Sequence, residues 1–336
     1  MADRRSGPPR PANAYRRARN IAKGPWSNVK VSLQLPTDNV QALTEFITAA
    51  AVAEIAQAAE AAGADAVNCT DHPFPNNEWM ATGGHHALDL FVTLAFAAAH
   101  TSRLRLHTNL SVIPYRSPGV LAKSVATLDQ LSGGRTIIGV GAGYQEREFL
   151  ALGVDFARRN ELTDDGIRTM TAIWTGESVD GNTALPRPAQ RPRPPIWVGG
   201  NSRQAMRRAV DLADGWCPVP NPRSLVARRH TARLETIEDF RTRVEELRAH
   251  ASSVGRTGAF ELPFMPFEGL PRDRTAAATD EFIRQVEELA RSGATYLVAT
   301  PRAETRSQFL DEIEHLGRAV IPRLDTIAVS SPLEGL

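Results

Sequence analysis

Asp71 and His72 stand side by side at the end of a buried-looking run, ADAVNCT at 64–70. Together they carry groups for proton exchange. A histidine ring gains and loses a proton near neutrality, and a neighbouring carboxylate serves as acid, base or hydrogen-bond acceptor. The same pair also suits a helix cap, and position alone does not separate the two. Thr108 and Asn109 interrupt a second apolar run just before Leu110 and Pro114-Tyr115-Arg116; on their own they mark a bend or bulge. Gly141 and Gly143 end a third run. Missing side chains there let a flat ring approach the backbone, or simply permit a tight turn. Gly199-Gly200-Asn201-Ser202 follows a fourth run and precedes a helix. Free N–H groups, a helix dipole and a hydroxyl suit a phosphate, and equally suit a helix cap. His85-His86 and Asp89 have metal-ligand chemistry, but adjacent histidines point different ways and no further ligand is apparent, so no metal is expected. No GxSxG, SxxK or cysteine loop motif signals a nucleophile.

These positions all fall at strand ends, and residues 104–144 show the pattern. LRLHTNLSVIPYRSPGVLAKSVATLDQLSGGRTIIGVGAGY reads as strand, kinked turn, helix, stop, strand and glycine loop. Ser117 and Pro118 suit a helix N-cap and first turn. Val120, Leu121, Val125, Leu128 and Leu131 recur at the spacing of one helix face, and Gly133-Gly134 supply a left-handed stop. Such a strand–helix–strand unit is parallel and right-handed, so the loops after Leu110 and Val140 open on the same face. Strands are predicted near 31–35, 64–70, 104–110, 136–140, 196–198, 215–219, 260–265 and 296–299. Helices are predicted over 45–62, 88–100, 118–132, 160–174, 203–213, 234–250, 279–291 and 304–321. About eight alternations in roughly 300 residues close a parallel cylinder, so the expected fold is a (β/α)8 TIM barrel with insertions at its C-terminal face. A doubly wound open sheet is the competing fold. It lacks its dinucleotide fingerprint here, because Tyr144 stands where the third glycine of GxGxxG belongs.

Composition bounds the function. The chain has 336 residues, 42% of them apolar, and a net charge of +1. No global field recruits nucleic acid or an anionic membrane. No apolar run approaches the roughly 20 residues that span a bilayer, and the basic N-terminus lacks the apolar core of a secretory signal. Residues 1–28, rich in Arg, Pro, Ala and Gly, read as a mobile basic arm preceding a barrel at 29–336. Cys69 and Cys217 sit in strand-like runs and read as reduced core thiols, the usage of a cytoplasmic protein.

Two stretches, LRLHTNLSVIPYRSPGVLAKSVATLDQLSGGRTIIGVGAGYQEREFLALGVDF and RPRPPIWVGGNSRQAMRRAVDLADGW, resemble the bacterial luciferase-like superfamily. They are most similar to its coenzyme F420-dependent oxidoreductases. The resemblance runs from about Val31 to Trp216 and rests above all on LDQLSGGR at 128–135 together with PIWVGG at 195–200. It implies a barrel that binds a flavin or deazaflavin at the carboxyl ends of its strands. It implies that Asp71 and His72 lie beside the reactive ring, with His72 expected to exchange the substrate proton or bond its oxygen, oriented by Asp71. It further implies a non-prolyl cis peptide at Asn109–Leu110, whose bulge backs one ring face between Thr108 and Leu110. Gly141 and Gly143 would line the ring pocket, and Gly199, Gly200, Asn201 and Ser202 would receive the cofactor phosphate. A homodimer and a small-molecule substrate are also implied. One position departs from the family. Some F420-dependent dehydrogenases carry a glutamate directly after the glycine pair, where this chain has Tyr144. A phenol is a poor base at neutrality, so glucose 6-phosphate oxidation by that arrangement is not expected. The expected activity is hydride transfer between the deazaflavin C5 and an unidentified small organic substrate. The alternatives are a reduced-FMN-dependent monooxygenase and a non-catalytic flavin- or deazaflavin-binding protein.

Overall fold

The computed structural model describes residues 28–336; the arm expected at 1–28 lies, apart from Asn28, outside the described residues. Eight parallel strands form one sheet: β1 (Lys30–Gln34), β2 (Ala66–Cys69), β3 (Arg105–Val112), β4 (Thr136–Gly141), β5 (Ile196–Gly199), β6 (Gly215–Cys217), β7 (Pro263–Phe264) and β8 (Tyr296–Ala299). Their order is β6-β5-β4-β3-β2-β1-β8-β7, and a parallel bridge from Gly215 to Glu261 joins the two ends. Backbone bonds Trp216 N–H to Glu261 O and Glu261 N–H to Asp214 O, both 2.9 Å, make that seam. The principal helices are α1 (Ala49–Ala62), α2 (Leu90–Ala99), α3 (Pro118–Ser132), α4 (Arg159–Thr175), α5 (Arg203–Leu212), α6 (Ile237–Ser253), α7 (Ala276–Arg291) and α8 (Arg306–His315). The expected (β/α)8 TIM barrel is therefore the fold.

Continuous burial along β2, β4, β5 and β8 follows from this closure. One face of each strand meets helices and the other meets the barrel interior. Val31, Leu33, Val67 and Leu106 face the helices, in one core with Ile55 and Leu94. Ile138, Val140, Val198 and Trp216 do so on the other side, with Leu121, Ile167 and Met206. The interior holds Ile137, Trp197 and Tyr296, plus a polar chain. There Asn109 Nδ2 donates to Asn68 Oδ1 (3.1 Å), Asn68 Nδ2 donates to Ser32 Oγ (2.9 Å), and the Ser32 hydroxyl lies 3.1 Å from His107 Nδ1. With Asn68 donating to it, Ser32 is left to donate to His107.

Complete burial pushes the His107 imidazole down to about 3, and its Nε2 has no hydrogen-bond partner among the described residues. A folded-state value below the unfolded one means stability is complete above the unfolded value, near 6.5. It is then lost as pH falls toward 3, by up to about 1.4 kcal/mol per pH unit for this one proton. Urea melts of wild type and His107→Gln between pH 7 and 5 check this. The wild-type midpoint should fall more steeply with acid than that of the variant.

Several boundaries differ from the sequence reading. The helix expected over 45–62 divides, because the Thr48 side chain accepts from Ala51 N–H and starts α1 afresh after a short helix at Leu43–Phe46. In α3, Val120 and Leu131 are exposed, while Ala122, Ala126 and Asp129 share the inner face with Leu121, Val125 and Leu128. Pro118 begins α3 without a side-chain bond from Ser117, and Gly133 ends it at φ +70°. The strand expected over 260–265 keeps only Pro263–Phe264. The last helix loosens after His315 into a wider turn at Leu316–Val320.

Candidate functional site at the strand carboxyl ends

Three of the inward positions on β4 and β5 are glycines: Gly139, Gly141 and Gly199. The space they vacate is filled from β3. The Asn109–Leu110 peptide is cis, and the β3–β4 register shifts between Thr108 and Ser111. That bulge swings the Leu110 side chain across the inner wall. A methyl group added to Gly199 would collide with Leu110, one on Gly141 would come within 3.3 Å of Leu110 Cδ1, and one on Gly139 would strike the Thr108 carbonyl and come within 3.2 Å of Leu110 Cδ2. Thr108 Oγ1 donates to Gly139 O (2.7 Å), fixing the bulge from below. Leu110 thus lies over Gly139, Gly141 and Gly199, while Thr108 and Asn109 hold the bulge from Gly139 O and Asn68 Oδ1. Gly143 has a different task. Its φ is +77°, and a side chain there would strike Phe149 and Val112. It lets the chain turn over the end of β3 into a short helix, Glu146–Ala151.

Asp71 and His72 follow β2, and each is held by a different loop. Asp71 is 3% exposed and His72 is 8% exposed. The Asp71 carboxylate accepts from both Arg116 terminal nitrogens, at 2.6 and 2.9 Å, and from Val112 N–H at 3.0 Å. Asp89 stands 3.5 Å from the same guanidinium and caps α2. Asp71 therefore ties the end of β2 to the end of β3, and is not the group that orients His72. Burial pushes its carboxyl above the ordinary value, against the pull of Arg116.

The carboxylate on His72 belongs to Glu148, which sequence reasoning missed. His72 Nδ1 lies 3.1 Å from Glu148 Oε2, and Glu148 is completely buried. Tyr115 O–H donates to the same oxygen (3.0 Å) and Phe74 N–H to the other (2.9 Å). Burial alone would raise this carboxyl. The His72 bond, the Phe74 amide and the Tyr115 hydroxyl outweigh it and hold the group below its usual value. Burial and the Glu148 charge in turn push the Tyr115 phenol far up, so it donates and does not ionise.

The excursion at 73–89 supplies a wall. Asn76 caps a one-turn helix, Asn77–Ala81, that carries Trp79. The His72 ring centroid is 4.5 Å from Trp79, 5.0 Å from His85 and 6.2 Å from Tyr144. Gly84 permits this fold-back, since a side chain there would enter the Trp79 ring. His85 thus packs on rings, while His86 O accepts from His85 Nδ1. No group of three or more potential metal ligands is found among the described residues.

The Gly199-Gly200-Asn201-Ser202 turn starts α5, with Gly200 at φ +107°. Its side chains are largely committed. Asn201 Nδ2 donates to Val219 O (2.8 Å) and Ala232 O (2.9 Å), and its Oδ1 accepts from Val219 N–H (2.9 Å). Ser202 Oγ accepts from Ala205 N–H (3.1 Å) as the N-cap. The N–H groups of Arg203 and Gln204 remain for a ligand, because Met206 N–H bonds Ser202 O and Ala205 is capped. Cys69 and Cys217 are buried free thiols, as expected of core residues; burial pushes Cys217 up to about 12. No described helix is long and apolar enough to cross a membrane.

Known proteins are similar to this chain. An F420-dependent glucose-6-phosphate dehydrogenase of Nakamurella multipartita is 33% identical over 178 residues, 49% of this chain and 50% of the relative. An FMNH2-dependent dimethylsulfone monooxygenase of Pseudomonas putida is 28% identical over 241 residues, 68% of this chain and 58% of the relative. The chain thus spans about half the length of the curated relatives it matches. A Streptomyces bottropensis monooxygenase, RslO1, superposes with a TM-score of 0.69 at 19% identity, covering 88% of this chain and 99% of that one. The luciferase-like monooxygenase family matches over residues 29–308, and the chain belongs to it.

Proposed function

We propose that this chain is a coenzyme F420-dependent oxidoreductase acting on a small organic substrate by hydride transfer. The observation that carries the reading is the pairing of two features at neighbouring strand ends. One is Leu110 seated over Gly139, Gly141 and Gly199; the other is the His72 ring just after β2, held by Glu148. A tricyclic ring needs an apolar bed without a protruding side chain, and Leu110 seated into the space over the three glycines fits it. The turn before α5 fits a phosphate through the Arg203 and Gln204 N–H groups, with Gly200 allowing close approach.

When bound, a deazaflavin supplies hydride chemistry at a carbon centre and does not activate oxygen. The chain's own share is orientation, dryness and proton traffic. Leu110 and the bulge block one ring face, so substrate takes the other. Trp79 and His85 screen that side from water. His72 exchanges a proton with a substrate oxygen through the ring nitrogen that Glu148 does not hold.

The second reading, a reduced-FMN-dependent monooxygenase, draws on the Pseudomonas putida relative, whose match covers more of this chain than the Nakamurella multipartita one does. Equilibrium titration with F420 and FMN side by side separates the two. F420 should bind at least about tenfold more tightly. Tighter FMN binding, with oxygen consumed when reduced FMN is supplied, overturns the first reading in favour of the second.

A further inference from the structure

The dipeptide that follows β2 sends its two side chains to different partners. Asp71 is spent on Arg116 and Val112, whereas the His72 ring makes its one hydrogen bond among the described residues to Glu148. Glu148 is not a surface carboxylate that happens to be near. It is fully buried and is fixed by Tyr115 O–H and Phe74 N–H, and Gly143 is the turn that brings its helix there. An ionised carboxylate only accepts, so the nitrogen facing it must carry hydrogen. Nδ1 is that nitrogen. In the neutral ring Nε2 is then bare, on a ring that packs against Trp79, His85 and Tyr144.

We infer that Glu148 is the positioning residue of His72: it fixes the Nδ1–H tautomer, so that Nε2 is the atom that takes and returns the substrate proton. The inference rests on the proposed oxidoreductase reading for its purpose, but not for its geometry. In the step itself, the substrate O–H bond breaks and an Nε2–H bond forms. The positive ring that results is then paired with the Glu148 carboxylate, with Nδ1–H still between them. Tyr115 has the supporting task of keeping Oε2 aimed at the ring. It needs no ionisation for this, which suits a phenol whose ionisation is suppressed. Orientation by a buried acid in this manner is what makes a histidine competent at one nitrogen and silent at the other.

The test reads the tautomer directly, with no cofactor present. Protein labelled with 15N at histidine is examined by long-range proton–nitrogen correlation, the His72 signals being identified by their loss in His72→Asn. Wild type should show the neutral His72 ring protonated at Nδ1, with Nε2 bare. Glu148→Gln should lose that single pattern, because an amide both donates and accepts; Tyr115→Phe should retain it. In turnover with the cofactor that binds, Glu148→Gln should lower kcat at least about tenfold while the cofactor Kd moves less than about threefold. An Nε2–H tautomer in the wild type overturns the inference without any variant having to fold. So does an unchanged Nδ1–H pattern in a folded Glu148→Gln. If the tautomer behaves as stated but neither F420 nor FMN binds, the oxidoreductase reading fails and the positioning role of Glu148 stands.

Discussion

Replacing His72 by alanine should lower kcat by about 10²–10⁴-fold, the usual contribution of a positioned proton carrier, and leave cofactor affinity within about threefold. The separation follows from where the groups sit. In the proposed site the ring would rest on Leu110 over the glycines of β4 and β5, and the phosphate would lie at the turn before α5. His72 comes from β2 and faces the aromatic wall. Steady-state kinetics alongside fluorescence titration of the cofactor checks it. A raised KM with unchanged kcat would mean that His72 only binds substrate. Because the His72 ring also packs on Trp79, His72→Asn is the better-behaved control: it keeps a polar group of similar reach but exchanges no proton.

Arg116→Met should destabilise the protein by about 3 kcal/mol, read as a lower urea midpoint with unchanged slope. Arg116 is the two-pronged partner of a carboxylate that is itself 3% exposed. Removing the cation leaves Asp71 buried beside Asp89 with only Val112 N–H as a donor. An uncompensated buried charge costs far more than a lost surface pair. Arg116→Lys should recover only part of the loss, because a single ammonium cannot reproduce the fork. Asp71→Asn combined with Arg116→Met should be milder than Arg116→Met alone, since the stranded charge is gone. Val112 ends β3, so Arg116→Met should also weaken cofactor binding through the bulge.

The fold was legible because its signals are local and repeated. The buried strands are short and mostly apolar, each principal helix has a cap or a glycine stop, and the count leads to a closed cylinder. Thr48, Val120 and Leu131 show where that reading ends. Thr48 looks like one more helical residue until its hydroxyl is seen to cap. Val120 and Leu131 fit the apolar period of α3, yet the helix turns them outward and buries Asp129, which accepts from Thr136 and Gln190. The candidate site divides the same way. Residues at strand ends, such as Asp71 and His72, could be picked out by position, whereas only the family resemblance marks Leu110. Glu148 could not, because nothing in GYQEREFL distinguishes it from Glu146. Only the turn at Gly143, which sends Phe149 and Glu148 inward together, does so. Asp71 misled for the converse reason: adjacency suggested that it served His72, but neighbours on an extended chain point in opposite directions.

That opposition has a consequence for how such a barrel changes its diet. His72 takes its bearings from Tyr115 and Glu148, after β3 and β4, while Trp79 and His85 belong to the separate span at 73–89. The aromatic wall and the bracket that holds the His72 ring are thus different pieces of chain, joined where Phe74 and Asn76 donate to Glu148 and Gln145, where Glu78 pairs with Arg147 and where Trp79 packs on Tyr144. Evolution can reupholster the one, exchanging an indole for an aliphatic or lengthening the span, while the proton-bearing nitrogen stays where it was.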